Sequence, residues 1–252
     1  MKRENIINKI MKKRDFSQLP KEDVERAFSH FENRQVEERE KIRLTRELLH
    51  KIFGAFGGKK LLNPKRQEKP DWFLRKHLST RERIGFYEEI YERLLDDEKV
   101  VLDLGAGVNG FSYNYFNKKF KYIAIEAVGQ WVDLMNHYFK KENLKAKAFH
   151  ESLFNIGQIK KIINKEKGQK VVFLFKVLDS LESMEKNYSK KILLKVCPIV
   201  SKVVVSFPTE SMVRRKKFNV SRKWILDFIS NSFEILDDFK IGSERFIVFS
   251  RK

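Results

Sequence analysis

The stretch Val100-Val101-Leu102-Asp103-Leu104-Gly105-Ala106-Gly107-Val108-Asn109-Gly110 decides how this chain is read. Val100–Leu104 is an apolar run with no alternation, the pattern of a strand covered on both faces. Three glycines with G-x-G-x-x-G spacing follow it, and Glu126 closes the next strand about 20 residues on, formally the dinucleotide-binding fingerprint. Glycine lets a backbone turn tightly and approach a ligand without a Cβ in the way. Three readings are open at this point: a dinucleotide site, a site for another adenosine-sized ligand, and a tight strand-to-helix turn that binds nothing. Asp103 weighs against the first, because dinucleotide domains usually carry an apolar residue there.

Outward from this turn, the chain from residue 77 alternates helical and extended patterns. Ser79-Thr80-Arg81-Glu82 has the S-x-x-E spacing of a capping box. It is expected to open a helix with Ile84, Tyr87, Ile90, Tyr91 and Leu94 on one face. Further strands are expected at Tyr122–Glu126, near 145–149, at 171–175 and at 203–207. Helices are expected around Trp131–Tyr138 and 186–196. Phe233–Lys240 and Arg245–Ser250 flank Gly242 and read as a hairpin. Strands that alternate with helices imply a parallel, doubly wound α/β sheet with right-handed crossovers. The closing antiparallel pair makes it seven-stranded, so the expected fold class is a Rossmann-like α/β sheet preceded by a helical domain.

Residues 1–76 read as that N-terminal helical domain. Ile6, Ile7, Ile10 and Met11 share one helical face, as do Val24, Ala27 and Phe28 after Pro20. A third pattern runs from Val36 through Leu49 to Phe53 and ends at Gly54. The segment after it, with Pro64 and Pro70, reads as a loop or short irregular stretch.

Charge separates the possible partners. The chain has 53 Lys and Arg against 34 Asp and Glu, a net charge of +19, which points to a polyanion: nucleic acid first, an anionic membrane surface second. The excess is spread along the sequence, since residues 1–80 hold 21 basic and 12 acidic residues, leaving +10 downstream. Hydrophobic residues at 42% exclude global disorder. No apolar run reaches the roughly 18 residues of a membrane span, and the N-terminus lacks a secretory pattern. The lone Cys197 excludes an internal disulfide framework and a CxxC metal site. No His/Cys/Asp cluster has metal-ligand spacing. A cytoplasmic monomer with no metal and no membrane attachment is the expectation.

Asp103-x-Gly105-x-Gly107 at the end of the first strand resembles the S-adenosylmethionine (SAM) loop of class I methyltransferases. Four blocks narrow the resemblance to the 16S ribosomal RNA (guanine-N7) methyltransferases of the aminoglycoside-resistance type. They are HLSTRER (His77–Arg83), LDLGAGVNG, VVFLFKVLDSLE (171–182) and VVVSFPTESM (203–212) with the IGSE turn, 241–244. The resemblance covers roughly residues 70–252. The chain departs from it at Ala106, where the family often has Cys, and at Gly110, where Pro is usual. It departs again at 213–218, where a glycine-rich stretch is replaced by a basic one.

The resemblance implies a SAM-dependent methyltransferase domain over 77–252 that acts on guanine N7 in the decoding region of small-subunit (16S) ribosomal RNA. Residues 1–76 would then dock on RNA or the ribosome. SAM would be the cofactor, lined by Asp103, Gly105, Ala106 and Gly107, with Glu126 on the ribose hydroxyls. Arg83 or Arg81 would pair with its carboxylate, a group that a planar guanidinium suits, and His77, Ser79 and Thr80 would shape that end. Glu151 would face the adenine amine, with Ser152 and Leu153 flanking the ring. Lys176 and Phe207 would lie near the target base. Arg214, Arg215, Lys216, Lys217, Arg222 and Lys223 form an acid-free basic run beside Phe218 and Trp224, which suits RNA phosphates and bases. No catalytic acid–base pair is implied. A non-catalytic RNA-binding or ribosome-assembly protein with the same fold is the alternative, as is a methyltransferase for another RNA position.

Overall fold

Apolar stripes at helical spacing organise the first third of the chain. The computed structural model describes residues 3–54, 57, 61, 69–209 and 222–252. Helix α1 (Arg3–Met11) buries Ile7 and Ile10. Helix α2 (Lys21–Ser29) buries Val24, Ala27 and Phe28, with Pro20 at its N-cap, and α3 (Glu38–Leu49) continues into a π-turn that ends at Gly54. Val36, expected to begin the third helix, lies outside it and is exposed.

Pro70 opens α4 (Pro70–Lys76), where a loop was expected. Its missing N–H costs nothing at a first helical position. The capping box does not form. Helix α5 (Leu78–Arg83) already contains Ser79, and the chain then breaks at Gly85, with φ of +92°, before α6 (Tyr87–Leu94). One expected helix is therefore two. Ser79 and Glu82 are turned to other partners: Ser79 Oγ accepts from Arg83 Nη2 at 3.0 Å, and Glu82 accepts from Lys176 Nζ.

The strands follow the apolar runs closely. They are β1 (Val100–Leu104), β2 (Lys121–Glu126), β3 (Ala146–His150), β4 (Lys170–Phe175), β5 (Lys202–Pro208), β6 (Phe233–Ile241) and β7 (Glu244–Arg251). They form one sheet in the order β3-β2-β1-β4-β5-β7-β6. Strands β1 to β5 pair parallel, and β7 pairs antiparallel to both β5 and β6. The crossovers run through a 3₁₀ segment (Asn109–Tyr115), α7 (Gly129–Lys141), α8 (Ile156–Lys165), α9 (Leu178–Met184), α10 (Tyr188–Val196) and, before the hairpin, α11 (Lys223–Ser232). The order reverses between β1 and β4, which opens a crevice beyond their C-terminal ends, where such sheets bind ligands.

Two apolar clusters cover the two faces of the sheet. One joins Val100, Leu102 and Val203 to α8, α10 and α11, with Cys197 buried inside it. The other joins Val101, Phe173 and Phe246 to Tyr91 and α7, and continues into Ile7, Phe16, Phe28 and Leu49. The N-terminal helices therefore share a core with the sheet. Backbone contacts cross the same boundary: Gly129 N–H donates to the Gln18 carbonyl at 3.1 Å. No helix among the described residues is long and apolar enough to cross a membrane.

Phe246 stacks on Phe239 across the hairpin and meets Phe175 edge to face, with no exposed surface. Phe246→Ala is expected to lower unfolding free energy by about 3–5 kcal/mol, measured as a shift of the denaturant midpoint with unchanged slope.

Candidate active site

A cavity of about 790 Å³ opens at the C-terminal ends of β1, β2 and β4. Its wall includes most of the residues that the sequence singled out: His77, Ser79, Thr80, Arg83, Asp103, Gly105, Ala106, Gly107, Glu126, Leu153 and Lys176.

The glycine loop forms one side. Gly105 and Gly107 have φ of +74° and +56°, a region that suits glycine. A Cβ on Gly105 would stand 2.6 Å from Val177 Cγ2, and one on Gly107 would stand 2.8 Å from His77 Nε2. Gly110, the third glycine of the motif, has an ordinary φ, and its missing side chain makes room for Phe139 and Met135. Asp103 fixes the loop from below. Its Oδ2 accepts from Asn109 Nδ2 and from the Tyr122 hydroxyl, each at 2.7 Å, and Tyr87 donates in turn to Asn109 Oδ1 at 2.8 Å. Burial raises the Asp103 carboxyl, and these hydrogen bonds oppose that rise.

Glu126 stands across from the loop. Its Oε2 accepts from Gly107 N–H and its Oε1 from Val128 N–H, both at 2.8 Å. Burial pushes its carboxyl up to about 7, against those backbone donors. Each oxygen retains acceptor capacity toward the cavity.

At the other end lies a charged cluster. Glu244 of β7 receives Arg83 Nε and Nη2 at 3.0 and 2.9 Å, with Lys176 Nζ at 3.1 Å and the Ser206 hydroxyl beside them. Burial works against the charge on Glu244, but Arg83 and Lys176 outweigh it and hold the carboxyl below the ordinary range. Lys176 sits at φ +57°, unusual for a side-chain-bearing residue, and its Nζ is shared between Glu82 and Glu244. Burial, then the Arg83 and Lys176 charges, push His77 down to about 3, so its imidazole is neutral.

Other expected residues fall elsewhere. The two Arg83 nitrogens that would fork a carboxylate are committed to Glu244, and Arg81 is exposed outside the cavity wall. Glu151 accepts from Ser152 N–H and Asn155 Nδ2 and does not line the cavity. Ser152 is buried behind it, bonded to Asp23. Phe207 is packed in the core with the Arg222 guanidinium 5.3 Å over its ring. Arg222 itself is buried against Asp179 and donates to the Pro208 carbonyl at 3.1 Å, while Lys223 is exposed at the start of α11. Arg214, Arg215, Lys216 and Lys217 lie outside the described residues.

Asn109, Trp131 and Asp23 line the cavity although sequence reasoning did not place them there. Asn109 was inside the motif, and its position between two glycines was the available signal. Among the described residues, no three His, Cys, Asp or Glu side chains gather as a metal site.

The sheet order and a crevice built from the β1 loop and the β2 acid are those of the class I methyltransferase fold. No protein-family model matches the chain. It is 24% identical to the 16S rRNA (guanine(1405)-N(7))-methyltransferase of Proteus mirabilis, over 90% of this chain and 88% of that one. The crystal structure of the 16S rRNA methyltransferase RmtF in complex with S-adenosylhomocysteine superimposes with a TM-score of 0.82 at 21% identity, over the whole of both chains. The 16S rRNA methylase RmtB gives 0.79 at 18% identity, over 100% of this chain and 99% of that one. Within that fold, the chain is similar over its whole length to 16S rRNA methyltransferases.

Glu244→Ala would leave Arg83 and Lys176 buried without their shared carboxylate. A loss of roughly 3–5 kcal/mol in unfolding free energy is expected, as for other broken buried pairs. The pH dependence has a definite sign. A carboxyl lowered by folding contributes stability above its unfolded value of 4.5, which is lost as pH falls through the lower folded value. Glu244→Ala should therefore remove part of the acid-side loss of stability seen in denaturant titrations of the wild type.

Proposed function

We propose that this protein methylates guanine N7 in ribosomal RNA of the small subunit, with SAM as methyl donor. The supporting observation is the crevice itself: a tight glycine loop at positive φ, Glu126 in the wall and bonded to that loop through Oε2, and an apolar extension through Ala127, Leu153 and Phe154. These residues fit SAM. A Cβ at Gly105 or Gly107 would crowd the loop, and Glu126 supplies the paired acceptors that a ribose diol requires. Whole-length similarity to 16S rRNA methyltransferases, helical segment included, supports the RNA substrate.

Bound SAM supplies an electrophilic methyl group on a sulfonium sulfur. The chain's part is position. Gly105–Gly107 would bring backbone close to the donor, Glu126 would hold the ribose, and the His77–Arg83 segment with Lys176 would frame the amino-acid end. His77 is neutral and buried, so it adds no charge there. Guanine N7 carries a free lone pair, so no side chain has to remove a proton, and alignment of the reacting atoms supplies the acceleration. Because the major-groove edge of A-form RNA is hard to reach, the target base would be flipped or already distorted. The basic run 214–217, with Lys223, would meet phosphates, and the N-terminal helices would dock on the assembled subunit. A substrate of that kind would have the enzyme act in the cytoplasm, as a monomer and without a metal.

Transfer of a labelled methyl group to small subunits, followed by borohydride and aniline, should cut the RNA at one guanine. An uncut strand with a reverse-transcriptase stop at an adenine would overturn the N7 assignment and keep the fold and the cofactor. Separately, ribose hydroxyls favour ionised Glu126, whose carboxyl stands at about 7 in the free protein. S-Adenosylhomocysteine affinity should then rise roughly tenfold between pH 6 and 8 by linkage, and Glu126→Gln should flatten that rise. A calorimetric titration showing no pH dependence in the wild type would remove Glu126 from the ribose.

A further inference from the structure

One wall of the cavity comes from outside the sheet. Asp23, in the first turn of α2, is 1% exposed and lines the crevice beside Leu153 and Phe154. Its Oδ1 accepts from the Ser152 hydroxyl. Its Oδ2 is buried without a hydrogen-bond partner among the described residues. Buried acceptors in folded proteins are almost always satisfied, so an orphan in a pocket wall points to a donor on whatever fills the pocket.

The position of Asp23 along the crevice identifies that donor. Glu126 lies between two ends. Toward β4 and β7 stands the cluster of Arg83 and Lys176 with Glu244 and Glu82, already charge-matched within the protein. Toward β3 the wall is Ala127, Leu153 and Phe154, apolar apart from Asp23. A flat apolar ring with one exocyclic amine suits that end, and an adenine base has that form. Glu151, to which the family resemblance gives this task, spends Oε1 on Ser152 N–H and Asn155 and stands outside the cavity wall.

The surroundings of Asp23 suit an acceptor that a ligand completes. Arg26, one turn along α2, is engaged by Glu185 and lies 4.5 Å over the Phe154 ring, so it faces Asp23 only as a nearby charge. Glu22 and Glu151 add negative charge around it. Burial raises the Asp23 carboxyl to about 6, which leaves it mostly ionised at neutral pH.

We propose that Asp23 is a cofactor-binding residue contributed by the N-terminal helical segment, its Oδ2 accepting an N–H of the adenine amine; this rests on the SAM assignment above. The segment expected to dock on the ribosome would then also complete the cofactor pocket.

Calorimetry on the full chain tests it with two ligands: S-adenosylhomocysteine and its 6-deamino counterpart, in which purine C6 carries hydrogen. The wild type should prefer the amine-bearing ligand by roughly 10- to 100-fold, the range for a hydrogen bond to a charged group. Asp23→Ala should weaken S-adenosylhomocysteine by that factor and bind the two ligands about equally. Asp23→Asn can turn its amide oxygen to the amine and its NH₂ to Ser152, so it should keep most of the preference. If Asp23→Ala weakens both ligands equally and keeps the wild-type ratio, Asp23 is merely structural and the proposal fails. A wild-type ratio near one overturns it without any variant. If the wild type does not bind S-adenosylhomocysteine at all, the SAM assignment itself falls.

Discussion

The shared carboxylate of Glu244 is the constraint around which the rest of the site is arranged. It draws in Arg83 from the end of α5, Lys176 from the end of β4 and Ser206 from β5. Those residues lie far apart in sequence, and one buried anion fixes their relative positions. Buried ion pairs contribute little net stability when compared with a well-packed apolar core, but they are costly to break. Here that cost locks geometry. A slip of the antiparallel strand β7 by one residue would turn Glu244 to the other face, leave Arg83 unmatched and leave Lys176 with Glu82 alone. Register of the closing hairpin and shape of the crevice are therefore one problem with one solution.

The glycine loop shows the same economy with neutral groups. Asp103 belongs to the motif, yet its oxygen holds Asn109 and Tyr122, so its first task is to pin the loop to β2. Gly105 N–H donates to the Ile125 carbonyl at 2.8 Å, which ties the loop to the same strand from its other end. Glu126 then accepts from Gly107 N–H. Loop and Glu126 are thus held by one another, and the pocket is largely preformed, which reduces the ordering cost when a ligand binds.

Much of the fold was legible because parallel strands covered on both faces must be apolar throughout. Val100–Leu104 matched residue for residue, and the other central strands to within a residue or so. Where the reading failed, a local rule met a tertiary demand. Ser79-Thr80-Arg81-Glu82 has capping spacing, but Glu82 is needed by Lys176 and Ser79 by Arg83, so the helix begins earlier and breaks at Gly85. In the site, residues next to strand ends could be read from the motif. Asp23 could not, since an acid in the first turn of a helix is ordinarily a favourable partner for the helix dipole and faces water. Its only signal was its place four residues before Ala27, on the apolar face of α2. Ser152, its hydrogen-bond partner, is 129 residues away in sequence.

That distance bears on how the chain is divided. By composition and pattern, a boundary falls at residue 76, between a basic helical segment and an alternating α/β region. Packing draws no such line: the same apolar cluster holds Ile7 and Phe28 with Tyr122 and Phe246. Arg26 reaches Glu185, and His30 Nε2 is paired with the Met184 carbonyl at 2.8 Å, so α2 is bound to the end of α9 as well as to the β3 loop. A segment fixed at several points and sharing a core moves with the domain, unlike one tethered by a linker. Helix α2 thereby reaches, through the Asp23–Ser152 hydrogen bond, the loop whose Leu153 and Phe154 wall one end of the crevice.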